Sequence, residues 1–353
     1  MIITRTPFRV TLGGGGTDLP SYYEKNGGFI FAMGINQYMY LTLHQSSVDR
    51  RVVLQYSRTE VVDHIKDIQH DLAREALRRH GIEAAVTIAS QADLPAQCGM
   101  GSSSSYLVGL LAALHAYRRD YISVQDLAEE ACHIELNILK KGIGKQDQYL
   151  AAFGGLTTLE IARDGKVKVD SLRLPSWIYA DLLANTHIYF IGNARHAEDI
   201  LSAQDQAMKQ VSGDARRTVQ YSLDQIKELG YRILDAIKAG RLDDFGRMLD
   251  EHWQAKKRMS ANISLPHIDR LYDHARKEYG VLGGKIIGAG GGGCLMLYCP
   301  KDHHKLTSYM ESMRLPRLDY NVAFEGAKVI ADLYASKNTR ISHAYAADDL
   351  TRL

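Results

Sequence analysis

The sequence has few cysteines and no long hydrophobic run. Only four cysteines occur among 353 residues, and none has the spacing of a metal-binding motif or a disulfide framework. No apolar stretch reaches the roughly 20 residues that a membrane-spanning helix needs, and the first residues do not have the layout of a signal peptide. We therefore expect a cytoplasmic protein with reduced thiols.

Neither sign of charge predominates. The chain has 43 Lys and Arg against 41 Asp and Glu, a formal net charge of +2. Nucleic-acid-binding and membrane-surface proteins depend on a clustered positive excess, so this balance argues against both classes of partner. Because 45% of the residues are hydrophobic and 24% are charged, we expect a globular protein, and 353 residues suffice for two domains.

The common phosphate-binding motif, Gly-x-x-x-x-Gly-Lys-Ser/Thr, is absent from the chain. A different stretch, Pro95-Ala-Gln-Cys-Gly-Met-Gly-Ser-Ser-Ser-Ser105, follows a predicted strand and precedes a predicted buried helix. We call residues 95–105 the serine loop. Backbone amides at a helix N-terminus bind anions, and serine hydroxyls can donate to phosphate or bind Mg2+. The serine loop therefore predicts a phosphate site; a flexible loop before a core helix is the alternative.

Two further glycine stretches lie near the two ends of the chain. The first, Gly13-Gly-Gly-Gly-Thr-Asp18, ends a strand predicted over residues 2–12, and the last is Lys285-Ile-Ile-Gly-Ala-Gly-Gly-Gly-Gly-Cys294. The last stretch contains Gly-x-Gly-x-x-Gly, but a strand is predicted after it where a dinucleotide-binding fold needs a helix. We therefore expect a loop between two strands that packs against a large charged group.

Periodicity predicts the elements between these stretches. We expect a helix over residues 123–140, a loop over 140–148, a hairpin around Asp164-Gly165 and a strand over 181–191. The helical pattern over residues 197–259 is expected to break near Gly230 and Gly240, and the tail after residue 337 to lie on the surface.

The three glycine stretches, in this order along one chain, resemble the motifs of the GHMP kinase superfamily, and the resemblance spans nearly the whole chain. Members phosphorylate sugars, homoserine and mevalonate-type alcohols with ATP. The resemblance implies an α+β fold, with an N-terminal domain like ribosomal protein S5 domain 2 and a C-terminal ferredoxin-like domain around a shared active site. We assign residues 1–180 to the N-terminal, ATP-binding domain and 181–353 to the C-terminal domain.

The resemblance also implies roles for single residues. Asp147 matches the catalytic aspartate of the sugar kinases, and Arg9 the basic residue beside the reacting hydroxyl. Glu135 and Ser103, or its neighbour Ser102, match the Mg2+ ligands. The implied ATP-binding residues are Pro95, Cys98, Gly99, Met100, Gly101, Ser102, Ser103, Ser104 and Ser105. The implied substrate-binding residues are Gly15, Gly16, Thr17, Asp18, Gly290 and Gly291.

Each of these roles has a plainer alternative. Asp147 could cap a loop, and Glu135 could be a solvated charge on a helix. Arg9 could be an edge-strand charge. Asp18 could cap a helix that begins near Leu19.

The first glycine stretch departs from galactokinase, which has Gly-Glu-His-Thr-Asp where this chain has Gly-Gly-Gly-Thr-Asp18. The amino-acid sequences of the first two motifs are most similar to those of D-glycero-D-manno-heptose 7-phosphate kinases, and then to those of fucokinase domains. We expect Mg2+- and ATP-dependent phosphorylation of the anomeric hydroxyl, in the synthesis of nucleotide-activated heptose. A kinase of L-fucose or another unphosphorylated hexose, and a nucleotide-binding sensor without catalysis, are the alternatives.

A heptose phosphate requires a second anion site, away from the phosphates of ATP. The candidate donors are Arg195 and His196, after a predicted strand end, and Lys141 or Lys145, near Asp147. The expected partners are ATP and a small sugar phosphate, and the sequence leaves a homodimer open.

Overall fold

A long antiparallel strand pair forms the centre of the fold. The computed structural model describes residues 1–96, 98–192, 204–206, 208, 213–260 and 262–334. Strand β1 (Ile2–Gly13) pairs along its whole length with β2 (Gly28–Gln45), and helix α1 (Pro20–Asn26) connects them. The pairing brings Gly13 opposite Phe31, so the first glycine stretch leaves the sheet beside the buried start of β2.

Within the described residues, the larger sheet has eight strands. Its order is β11 (Lys328–Asp332), β1, β2, β5 (Val86–Ala92), β3 (Val52–Gln55) and β4 (Thr59–Val62), and β6 (Leu156–Ile161) joins β2 to β7 (Val167–Leu172). The β3–β5 pair is parallel. The other pairs are antiparallel. The predicted hairpin is confirmed, because β6 and β7 pair on either side of Asp164-Gly165.

Helices pack on β1 and β2 and on one another. They are α2 (Asp71–Arg79), α3 (Ser102–Arg118), α4 (Val124–Cys132), which continues into a π-helix (His133–Ile138), and α5 (Gln146–Phe153). Helix α3 approaches the sheet closely at Gly109, where a Cβ atom would lie 2.6 Å from Thr6 Oγ1 and 2.8 Å from Leu41 Cδ1. This close contact fixes the N-terminus of α3, and with it the serine loop, against β1.

The C-terminal half is built around a smaller sheet. Its helices and strands are α6 (Ser176–Asn185), β8 (Thr186–Gly192), α7 (Asp214–Lys238), α8 (Leu242–Lys257), α9 (Pro266–Glu278), β9 (Gly283–Ile286), β10 (Gly293–Tyr298) and α10 (His303–Ser312). Strand β10 lies between β8 and β9, antiparallel to both. A separate hydrophobic cluster that includes Trp253, Tyr272 and Leu295 lies in this half, while other buried residues of α7, α8 and β10 belong to the main core. The predicted loop between two strands is confirmed, because the last glycine stretch joins β9 to β10.

Three of the predicted elements are wrong. Residues 140–148 are not all loop, because α5 begins at Gln146 and carries Asp147 in its first turn. Residues 181–191 are not one strand, because the apolar run begins in α6 and becomes β8 only at Thr186. Gly230 does not break the helical pattern but lies inside α7, where its missing side chain lets the helix contact Gly13 and Phe29. The break at Gly240 is confirmed.

We propose that the division predicted at residue 180 separates the two parts of the fold. Strands β1–β7 belong to the larger sheet and β8–β10 to the smaller one, while β11 returns to pair with β1. Among the described residues, no helix combines the length and hydrophobicity needed to span a bilayer. The predicted surface tail after residue 337 lies outside the described residues.

Candidate active site

All three glycine stretches line one cavity of about 310 Å³. The first contributes Gly15 and Gly16, and the last contributes Gly288 and Gly290. The serine loop contributes Gly99, Gly101, Ser102, Ser103 and Ser104. Glycines up to 275 positions apart in the chain, Gly15 and Gly290, are therefore brought to one place.

Arg9 and Asp147 form an ion pair in this cavity. Arg9 Nε donates to Asp147 Oδ1 at 2.6 Å, and a second guanidinium nitrogen donates to the carbonyl of Gly99 at 2.8 Å. Arg9 is only 4% exposed, whereas the side chain of Asp147 is 25% exposed. A Cβ atom on Gly101 would lie 3.3 Å from the other carboxylate oxygen, Oδ2. The ion pair therefore fixes the carboxylate beside the serine loop while leaving it accessible from the cavity.

The serine loop ends in an uncapped helix N-terminus. Gly99 and Gly101 have φ angles of +82° and +79°, a left-handed conformation that glycine adopts easily. Gly101 is the N-cap of α3, and no side chain caps this helix end. The first amides of a helix have no partner within the helix, so those of residues 102–104 are available to an anion.

Four of the predicted ATP-binding residues lie outside the cavity lining. Cys98 and Met100 are buried in the core, and Ser105 Oγ donates to the carbonyl of Pro7 at 3.0 Å. Their side chains are occupied by packing and by the β1–α3 contact. Pro95 also does not line the cavity.

Glu135 lies buried on the π-helix, facing the start of α3. It accepts hydrogen bonds from Ser104 Oγ at 2.7 Å and Gln148 Nε2 at 2.5 Å, and Ser103 Oγ lies 3.4 Å from its Oε1. Burial raises the pKa of Glu135 to about 6, against the lowering effect of Ser104 and Gln148. With Ser103, the Glu135 carboxyl offers the hard oxygen donors that Mg2+ prefers.

Asp18 lines the cavity and also holds the N-terminus of α5. Its carboxylate accepts from the backbone nitrogens of Gly16 at 3.2 Å and Gln146 at 3.0 Å, and from Gln146 Nε2 at 3.2 Å. Burial raises its pKa, because the backbone bond from Gln146 offsets only part of the desolvation. The helix that begins at Pro20 has no side-chain cap, so the alternative in which Asp18 caps that helix is wrong. Asp18 therefore orients the helical turn that carries Asp147.

The other predicted substrate-binding residues divide into two groups. Gly15, Gly16 and Gly290 line the cavity. Thr17 is buried, and its hydroxyl bonds the carbonyls of Gly14 and Phe29 at 2.8 Å each, which is a structural role. Gly291 does not line the cavity, and its amide donates to the carbonyl of Ile263 at 2.9 Å.

Of the four candidate donors of the second anion site, the structure describes two, Lys141 and Lys145. Arg195 and His196 lie outside the described residues. Lys145 donates to the carbonyl of Gly165 at 2.6 Å, in a tertiary contact outside the cavity lining. Lys141 lines the cavity, and its ammonium lies 3.4 Å from Asp71 Oδ2.

Sequence reasoning missed two basic residues of the cavity, His252 and Lys256, and gave no separate role to a third, Lys285, at the start of the last glycine stretch. His252 and Lys256 on α8, and Lys285 on β9, are buried and line the cavity. The spacing of His252 and Lys256, four residues apart on a predicted helix, places both on one face and was the available signal. Nothing local indicated that this face meets the glycine stretches.

Two family models match the chain. The GHMP kinases N terminal domain matches residues 64–155, and the GHMP kinases C terminal model matches residues 233–308. The D-glycero-alpha-D-manno-heptose 7-phosphate kinase of Campylobacter jejuni is 27% identical over 342 residues, covering 93% of this chain and 98% of the relative. The L-fucokinase/L-fucose-1-P guanylyltransferase of Bacteroides fragilis is 26% identical over 335 residues, covering 83% of this chain and 34% of that longer protein.

Solved structures share the fold. A D-glycero-D-manno-heptose 1-phosphate kinase from Bacteroides thetaiotaomicron superposes with a TM-score of 0.74 at 22% identity, covering 94% of this chain and 100% of that one. Lactococcus lactis galactokinase complexed with galactose superposes with a TM-score of 0.73 at 17% identity, covering 93% and 95%. The chain thus contains the N-terminal and the C-terminal domain of GHMP kinases, in that order, and GHMP kinases are phosphotransferases that act on alcohol groups.

Proposed function

We propose that this protein is a Mg2+- and ATP-dependent sugar kinase that phosphorylates the anomeric hydroxyl of D-glycero-D-manno-heptose 7-phosphate, giving the 1,7-bisphosphate. The observation that carries the proposal is the Arg9–Asp147 pair, 2.6 Å apart, beside an uncapped helix N-terminus in a shared cavity. The Campylobacter jejuni relative, a heptose 7-phosphate kinase similar over nearly its whole length, supports the substrate. The product would enter the synthesis of nucleotide-activated heptose.

The cavity residues have complementary roles in this reaction. Phosphoryl transfer depends mainly on positioning and on neutralising charge. The free amides at residues 102–104 would bind the phosphates of ATP. Asp147 would accept the proton of the sugar hydroxyl, a step that typically contributes ~10²- to 10⁴-fold in rate. Arg9, which donates to Asp147 and to the carbonyl of Gly99, would hold that carboxylate in place and balance negative charge on the transferred group.

Ser103 and Glu135 would hold Mg2+, which neutralises phosphate charge when it is bound. Both are hard oxygen donors, and their side chains already lie 3.4 Å apart. Gln148 and Ser104 orient the carboxylate from the buried side. This arrangement leaves Ser103 on the exposed side, facing the cavity.

Replacing Glu135 by glutamine is expected to raise the Mg2+ concentration for half-maximal activity about tenfold, because a neutral amide is a weaker ligand than a carboxylate. A Mg2+ titration of ADP release at saturating ATP measures this. Glu251→Gln, on the exposed side of α8, is the control and should leave the titration unchanged. A Glu135→Gln curve that superposes on the wild type would remove Glu135 from the metal site.

A panel of sugars tests the substrate. We expect ADP release with the highest kcat/KM for heptose 7-phosphate, compared with unphosphorylated heptose, L-fucose and galactose. Preference for L-fucose would favour the alternative that the Bacteroides fragilis relative supports. ATP binding without ADP release for any sugar would favour a sensor without catalysis.

A further inference from the structure

One wall of the cavity is formed by buried basic side chains. His252 and Lys256 lie one turn apart on α8, and Lys285 lies on β9, which packs against α8. Their exposed fractions are 1%, 8% and 3%, yet all three line the cavity. We call these three residues the basic wall.

Among the residues that the structure describes, the basic wall has no partner of opposite charge. Lys256 Nζ donates to the carbonyl of Gly288, and Lys285 Nζ to the carbonyl of Leu12 at 3.1 Å. Across the part of the chain that the structure describes, neither ammonium has a carboxylate oxygen within 4.0 Å. Neither ring nitrogen of buried His252 has a hydrogen-bond partner there. Since an ammonium has three donors, each lysine has unused ones.

Buried cations without counter-ions are unfavourable, and the pKa values reflect this. Desolvation, with a contribution from Arg9, lowers the pKa of Lys256 to about 7. Desolvation, then repulsion from Lys256 and Arg9, lowers the pKa of Lys285 well below its usual range. A dianion in the cavity would restore both positive charges and supply acceptors for the unused donors.

The position of the basic wall favours the sugar over the nucleotide. Lys285 Nζ donates to the carbonyl of Leu12, directly before the first glycine stretch. Gly15 and Gly16 of that stretch, together with Asp18, line the cavity and are the residues assigned to the sugar. The free amides at the start of α3 already provide for the phosphates of ATP. The basic wall therefore adds donors from the C-terminal half to the amides at the start of α3.

We propose that Lys256, Lys285 and His252 bind the phosphate that the sugar already carries, a phosphomonoester dianion that is not transferred in the reaction. This inference rests on the proposed kinase activity and assigns its substrate class: sugar monophosphates over free sugars. A sugar with a neutral hydroxyl in place of the phosphate would leave two buried ammonium groups unpaired. The site should therefore discriminate strongly against unphosphorylated sugars.

The test compares Lys256→Met and Lys285→Met, which keep side-chain length and remove charge. We expect each to raise the KM for heptose 7-phosphate about 10- to 100-fold, the effect of losing a hydrogen bond between charged groups. The KM for unphosphorylated heptose should change far less, so the preference for the phosphorylated sugar shrinks. Lys257→Met is the matched control, because that neighbouring lysine is paired with Asp269 at 3.1 Å outside the cavity.

Three other results would overturn the inference. An equal loss for both sugars would make the lysines structural, and a rise mainly in the KM for ATP would assign them to the nucleotide. Wild-type protein that phosphorylates only free sugars would exclude the phosphate subsite while leaving the kinase intact.

If wild-type protein phosphorylates no sugar, the kinase proposal fails, and the subsite is tested by binding alone. Inorganic phosphate and heptose 7-phosphate should then raise the Tm of the wild type and of Lys257→Met, but not that of Lys256→Met. Equal shifts in all three proteins would exclude the subsite.

Discussion

Replacing Asp147 by alanine is expected to lower kcat at least about 10²-fold while ATP binding is retained. The carboxylate lies at the cavity side of the Arg9 ion pair, where it can accept the proton of a sugar hydroxyl. Its contact with the serine loop is through Gly101, so removing the side chain leaves the free amides in place. ADP release measures kcat, and calorimetry measures ATP affinity.

Two controls separate a lost base from a disturbed site. Asp147→Asn keeps the size of the side chain and a hydrogen-bond acceptor for Arg9, so it should lose turnover with little change in Tm. Asp164→Ala, in the exposed hairpin turn, should behave as wild type. Turnover close to wild type in Asp147→Ala would remove Asp147 as the base.

Replacing Gly288 by alanine is expected to damage both stability and nucleotide binding. Gly288 has a φ of +79°, and a Cβ atom there would lie 2.5 Å from the carbonyl oxygen and 2.8 Å from the Cα of Gly99. Both obstacles are backbone, so the serine loop and the last glycine stretch must separate. The left-handed conformation of an alanine is expected to lower the free energy of unfolding by about 1–2 kcal/mol, and the steric overlap by about 1–3 kcal/mol more. Thermal unfolding and ATP titration measure the two effects.

Gly81→Ala is the matched control for this substitution. Gly81 also has a positive φ, +64°, but a Cβ atom there has nothing within 4 Å. The Gly81→Ala variant should therefore lose only the about 1–2 kcal/mol of unfolding free energy that the left-handed conformation costs, and its affinity for ATP should not change. If both variants lost the same stability and both bound ATP normally, the contact between Gly99 and Gly288 would not support the phosphate site.

The local part of the site was predictable from the sequence. Glycines before an apolar Ala- and Leu-rich run indicated a loop at a helix N-terminus, and Gly99 and Gly101 adopt the positive φ angles that such a loop requires. The order of the three glycine stretches carried the resemblance that paired Arg9 with Asp147. Both features can be recognised in a single sequence, because the first depends on neighbouring residues and the second on the order of the motifs.

Long-range packing decided the rest. The start of α5 at Gln146 depends on Asp18, which holds its backbone nitrogen from 128 positions away in the chain. The Ser105 hydroxyl donates to the carbonyl of Pro7, and the Thr17 hydroxyl to that of Phe29, so neither faces the cavity. The sequence around these two residues does not indicate either contact. The basic wall depends on how α8 and β9 meet the first glycine stretch, and the short segments involved do not encode that contact.

A crystal structure with a non-hydrolysable ATP analogue and heptose 7-phosphate tests the central assignment most directly. We expect the triphosphate on the amides of residues 102–104 and the anomeric hydroxyl about 2.6–3.2 Å from the Asp147 carboxylate, with Arg9 beside the terminal phosphate. A triphosphate bound away from residues 95–105, or an acceptor hydroxyl out of hydrogen-bond reach of Asp147, would contradict it.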